Sequence, residues 1–81
     1  MLNEAMLTPD EVEFLRLCRE HDLTYSYSDD YRYYEAGERQ YRRIRKLAEK
    51  LDQDRVAELW NMVVDEKLQP RFRRDFYWFS T

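Results

Sequence analysis

Eighty-one residues suffice for one modest core that buries roughly 60% of the unfolded chain's surface, and they leave no room for a catalytic cleft between two lobes. Charged residues make up 38% of the chain and mean hydropathy is -0.97, a balance that alone suggests disorder, yet 16% aromatics with one glycine and two prolines describe a folded, helix-rich domain. Net charge is -3, with ten acids against three bases in residues 1–38 and seven against eleven in residues 39–81, so the two halves are expected to neutralise one another across the fold.

The first element is signalled by Leu7-Thr8-Pro9-Asp10-Glu11-Val12. Thr8 fits an N-cap, Pro9 the first helical position and Glu11 the returning arm of a capping box, while Leu7 and Val12 form a hydrophobic staple. The spacing predicts a helix over Pro9 to Glu20 that buries Val12, Leu15 and Cys18, with Phe14 and Leu17 widening the face. Cys18 reads as a small core residue and His21 as a polar helix end that leads, through Asp22, into the Leu23 to Ser28 connection.

Ser28 to Leu51 carries the strongest pattern, and the rest of the chain is expected to be arranged around it. Tyr34, Gly37, Tyr41, Ile44, Ala48 and Leu51 recur at steps of three and four, with Leu47 beside them, which predicts a helix over Asp29 to Leu51 with that face buried. Ser28, Asp29 and Asp30 supply an N-cap and first-turn acids. Arg39, Arg42, Arg43, Lys46 and Lys50 gather into a basic stripe on another side. Gly37, at roughly 1 kcal/mol relative to Ala inside a helix, marks either the close approach of another helix or the true helix start. In a rival pattern, LTYSYS and YRYYEA alternate as a hairpin across Asp29-Asp30, with the helix beginning only near Glu38. Asp-Asp lacks the glycine that such a turn prefers, which favours the long helix.

Asp52 fits the cap of a third helix over Gln53 to Leu68, with Leu51 stapled to Val56 and Val56, Leu59, Trp60, Val63, Val64 and Leu68 on its apolar face. The turn before it is short, so these two helices are expected to pack antiparallel. Gln69 precedes Pro70 and is biased out of helical conformation. In the tail, Phe72, Phe76 and Phe79 fit a helical stripe while Phe72, Phe76 and Trp78 fit a strand alternation. Either way so aromatic a segment is expected to fold back and seal one end of the bundle, in one version as a short fourth helix from Pro70. The expected architecture over residues 1–81 is a single all-α domain, a small antiparallel bundle of three helices closed by an aromatic C-terminal segment.

Little here fits catalysis. One His and one Cys, as Cys18 and His21, do not make a metal site, and nothing nearby orients the imidazole or receives charge in a nucleophilic mechanism. Asp29-Asp30 and Asp65-Glu66 are adjacent carboxylates that point different ways on a helix, and no glycine-rich loop cradles phosphate. The expectation is a protein without enzymatic activity, metal or cofactor. A single cysteine permits no internal disulfide, MLNEAML lacks the bases and apolar core of a secretory signal, and no run has transmembrane length. The chain is therefore expected to be cytoplasmic, with no membrane contact.

Tyr25, Tyr27, Tyr31, Tyr33 and Tyr34 fall within ten residues, more than a helix of this size can bury. Tyr27, Tyr31 and Tyr34 fit one inward face, which leaves Tyr25 and Tyr33 looking outward. Exposed tyrosines beside arginine bring large contact area at low entropic cost, so Tyr25, Tyr27, Tyr31 and Tyr33 are candidate partner contacts, with Asp29 and Asp30 meeting basic groups. The alternative is that these rings pack the connection onto the core. The basic stripe of Arg39, Arg42, Arg43 and Lys46, together with Arg71, Arg73 and Arg74 beside the tail aromatics, is the candidate nucleic-acid surface. Against it, Glu35 with Arg39 and Glu38 with Arg42 stand at ion-pair spacing, and the chain is acidic. The leading expectation is a protein-interaction module, adaptor or inhibitor, of the size and composition common among viral and phage inhibitors. Self-association covering surplus aromatic surface is a second possibility.

Overall fold

Thr8 opens the first helix as its cap. Its hydroxyl accepts from the Glu11 backbone N–H at 3.2 Å while Glu11 Oε1 accepts from the Thr8 N–H at 2.9 Å, completing the capping box with Pro9 at the first helical position. A computed structural model describes residues 4–78 of the chain. Among them are four helices, α1 (Pro9–Glu20), α2 (Tyr31–Ala48), α3 (Gln53–Lys67) and the single turn α4 (Pro70–Arg73), with short 3₁₀ turns at Glu4–Met6 and Leu23–Tyr27 and no strand. The result is a small all-α bundle, and the hairpin alternative over residues 23–36 is not adopted.

The core is Phe14, Leu15, Cys18, Leu23, Ile44, Ala48, Val56, Leu59, Trp60, Val63 and Val64. Val12 corrects the expected α1 face, since it stands 50% exposed. The buried stripe is Glu11, Phe14, Leu15 and Cys18, and Val12 sits about 100° round the helix from Glu11, on the flank. The buried Glu11 also turns its second oxygen to Arg55 Nε of α3 at 3.0 Å, so the residue that starts α1 ties it to α3. Arg19 and Glu66 pair across the same two helices at 2.8 Å, and Lys67 Nζ donates to the His21 carbonyl that ends α1. The backbones come closest where α1 meets both α2 and α3 and where the 3₁₀ turn lies on α2. α1 therefore touches both α2 and α3, and α2 holds both α1 and the 3₁₀ turn.

Asp30 starts α2, accepting from the N–H groups of Arg32 at 2.9 Å and Tyr33 at 3.4 Å. The helix is shorter than Asp29 to Leu51: after Ala48 the chain tightens into turns, with the Lys50 N–H donating to the Leu47 carbonyl and the Leu51 N–H to the Ala48 carbonyl, each at 3.0 Å, and Gln53 Nε2 donates to the carbonyls of Ala48 and Leu51. That same Gln53 opens α3, where Asp52 occupies the cap position without a side-chain hydrogen bond, contrary to the expected cap.

The tail does fold back. Trp60 Nε1 donates to the Phe76 carbonyl at 2.6 Å, Asn61 Oδ1 accepts from the Trp78 N–H at 2.7 Å, and Tyr77 donates to Asp65 Oδ1 at 2.7 Å. Arg73 adds bonds to the carbonyls of Leu68 and Asp65, each at 2.9 Å. Phe72 is largely exposed, so it is Phe76, Tyr77 and Trp78 that meet the core; Phe79 lies outside the described residues.

Candidate interaction surface

The expected orientation of the tyrosine block holds at Tyr33 and fails at Tyr25, Tyr27, Tyr31 and Tyr34. Tyr25 turns inward, and Tyr27 and Tyr31 turn outward at 64% and 74% exposure, with Tyr33 at 43% and Tyr34 at 40%. The cause is local: Asp22 accepts from the Thr24 N–H and hydroxyl, both at 2.8 Å, and winds residues 23–27 into a 3₁₀ turn that drops Leu23 into the core and lays Tyr25 on α2. Neither a helical nor a strand period runs through residues 28–30, where Ser28 and Asp30 are extended and the chain bends at Asp29. Gly37 is where Tyr25 lands. A Cβ at that position would come within 2.3 Å of Tyr25 Cγ, so the glycine marks the approach of a ring and neither of the expected causes.

Tyr25 is pinned further by its hydroxyl, which donates to Glu38 Oε2 at 2.7 Å; burial first, then that bond, pushes its ionisation above the ordinary tyrosine range. Its ring touches Tyr34 at 5.6 Å and His21 at 5.2 Å. This places Tyr25 in the frame of the surface, so the contact residues on that surface are Tyr27, Tyr31, Tyr33 and the unanticipated Tyr34. Tyr27 sets its ring edge-on to Phe76 at 5.7 Å, joining the patch to the tail. Asp29 is exposed, whereas the Asp30 carboxylate is committed to capping α2.

The basic stripe is exposed but partly neutralised. Arg39 pairs with Glu35 at 3.1 Å and Arg42 with Glu38 at 3.8 Å, both as the spacing predicts; Arg43 and Lys46 are exposed. Arg71 lies over the Phe72 ring at 4.6 Å and Arg74 is exposed, while Arg73 directs its guanidinium at backbone carbonyls. Arg45, outside the expected stripe, stands 5.0 Å over Trp78 and 5.9 Å over Tyr41.

His21 departs most from its expected place. It is 1% exposed, stacked against Tyr41 at 6.2 Å, with Nδ1 donating to Gln40 Oε1 at 3.0 Å. Burial pulls its pKa below the ordinary histidine value, offset in part by the Gln40 bond, so the ring is neutral and Nε2 carries a lone pair. That Nε2 has no hydrogen-bond partner. Cys18 matches its expected place in the core, and burial raises its thiol to about 12. Among the described residues no group of three His, Cys, Asp or Glu could hold a metal ion, and no helix is long and apolar enough to cross a membrane. The chain matches no protein-family model, no curated protein and no solved structure.

Proposed function

We propose that this chain is a non-catalytic protein-interaction module, an adaptor or inhibitor that acts by covering a partner's surface. The observation that carries the reading is a set of four exposed tyrosines on a backbone fixed from both sides. Tyr27 ends the Asp22-capped 3₁₀ turn, while Tyr31, Tyr33 and Tyr34 open the Asp30-capped α2, and Tyr25 locks the two together over Gly37. Large rings on a fixed backbone lose little entropy on contact, which is what an interface anchor requires. Asp29 at the edge of the patch favours a partner with basic groups. A free, buried Cys18 fits a reducing compartment such as the cytoplasm.

Replacing Tyr31→Ala together with Tyr33→Ala tests this directly. A nuclease-resistant protein captured from native lysate by the unaltered chain is expected to be lost by the double variant, with an unchanged far-UV circular dichroism spectrum. Capture that disappears with nuclease, falls steeply with salt and survives the tyrosine substitutions moves the function to Arg39, Arg42, Arg43 and Lys46. Recovery of the chain alone, as an oligomer that the double variant abolishes, identifies a second copy as the partner.

A further inference from the structure

His21 ends α1 and opens the segment that carries Tyr25, and among the described residues its Nε2 is the one buried side-chain polar atom without a hydrogen-bond partner. Tyr25 packs on the ring at 5.2 Å and Tyr41 stacks on it at 6.2 Å. Nδ1 donates to Gln40 Oε1 at 3.0 Å in either charge state, so a second proton has to go to Nε2, where no acceptor stands. The charged neighbours do not supply one. Lys67 of α3 brings its ammonium to the Cys18 and His21 carbonyls and opposes a second positive charge there. Asp22 and, from α2, Glu38 favour that charge, but Asp22 is bonded to Thr24 and Glu38 to the Tyr25 hydroxyl and Arg42. Cys18, one turn back, and Tyr25 both titrate far above neutrality, and Tyr41 offers the flat of its ring. Burial is the largest influence, and on balance the neutral ring is favoured.

We infer that protonation of His21 and seating of Tyr25 exclude one another, so that acid lifts residues 21–27 off α2 and dismantles the tyrosine surface they frame. The coupling is direct, because the Tyr25 ring lies on both His21 and Gly37. A charged imidazole that moves out to find water for its new N–H removes one support of that ring and, with it, the bond to Glu38. Few other ties hold the segment: Leu23 in the core, the Asp22 cap and Lys67 at the carbonyls. It can therefore open while Ile44, Val63 and Val64 stay packed. As regulation of an interface this rests on the function proposed above; the opening itself does not.

An open state whose His21 titrates normally gains population as pH falls through 6.5, by up to about tenfold between pH 7.5 and 5.5. The test is amide hydrogen exchange of the intact chain at those two values, corrected for the intrinsic rate at each. The amides of Ser28, bonded to the Tyr25 carbonyl, and of Gly37 and Glu38, beneath the Tyr25 ring, are expected to exchange through a more populated opening than those of Val63 and Val64. Their protection is expected to fall by up to about tenfold on acidification. His21→Gln, which cannot take up the charge, is expected to hold protection constant between the two pH values. Should that variant fail to fold, the His21 ring nitrogen resonances of the unaltered chain decide, and they are expected to stay those of a neutral imidazole in the clasped form at pH 5.5. Protection that acid leaves unchanged, an opening no more populated than that of Val63 and Val64, an equal fall in His21→Gln, or a charged His21 in a clasped chain each overturns the inference. None of these readouts needs a partner, so failure of the proposed interface and failure of this inference are separate results.

Discussion

The two halves of α2 differ in composition, three tyrosines and two acids in residues 31–39 against one tyrosine, four bases and no acid in residues 40–48, and they are held by different means. Beyond its middle the helix buries Ile44 and Ala48 in the common core, whereas residues 31–36 are exposed on every side. The first half is supported by local devices alone: the Asp30 cap, the Glu35–Arg39 pair and the Tyr25 ring seated on Gly37. One half thus draws its stability from burial and the other from a clasp. In the clasped half Tyr31 and Tyr33 are free to serve a surface, whereas Tyr34 packs on Tyr25 and Glu35 pairs with Arg39.

The sharpest break in that contrast comes from truncating one residue in each half. Ile44→Ala opens a cavity in a fully buried site and is expected to lose about 2–5 kcal/mol. Tyr31→Ala is expected to change stability by no more than about 0.5 kcal/mol, both read from denaturant unfolding. Comparable losses at the two positions would mean that the first half is also load-sharing core.

Next in size is the clasp. Gly37→Ala gains about 1 kcal/mol of helix propensity but drives a methyl into Cβ and Cγ of Tyr25, atoms too near the backbone to swing aside. Overpacking costs about 1–3 kcal/mol and displaces the Tyr25–Glu38 bond, so net destabilisation is expected, with Tm falling about 4–8 °C for each kcal/mol. In a Tyr25→Ala background the same substitution is expected to stabilise, by about 1 kcal/mol. Destabilisation in both backgrounds would show that something other than the ring excludes a side chain at Gly37.

The smallest effect sharpens the junction between the halves, where Gln40 holds His21. Because the folded His21 pKa lies below its ordinary value of 6.5, the unfolded chain takes up a proton there that the folded chain resists. Stability is therefore complete above about pH 6.5 and declines as pH falls from there towards the folded pKa, a slope that His21→Gln is expected to remove. Asp22 and Glu13, both with lowered pKa values, lose their contributions only at lower pH, from their ordinary values of 3.8 and 4.5 downward. Chemical denaturation at pH 7.5 and 5.5 separates the two windows.

What could be read from sequence was what neighbours in the chain decide. Thr8, Pro9 and Glu11 signalled the start of α1 because capping is a contact between residues three apart, and Glu35–Arg39 followed from one helical turn. The face of Tyr25 was misplaced because Asp22 imposes a three-residue period where a longer helical or alternating one was assumed. His21 could not be placed from its surroundings in the chain, since Gln40 and Tyr41, which cover it together with Tyr25, are brought close by folding alone. A lone histidine at a helix end followed by a capping aspartate was the only trace it left. The tail resisted assignment for a further reason: its anchors, Trp60, Asn61 and Asp65, belong to α3 and hold mainly its backbone.

The manner of that anchoring has an optical consequence. Both tryptophans of the chain, Trp60 and Trp78, stand on the two sides of the seam between α3 and the tail, one hydrogen-bonded to the tail and the other part of it. Tryptophan emission and the near-ultraviolet dichroism of two coupled indoles therefore report seating of the last segment, while the tyrosines, elsewhere except for Tyr27, Tyr41 and Tyr77, report the rest. A detached tail on an intact bundle would darken one signal and spare the other, which gives the chain a built-in label for its own closing step.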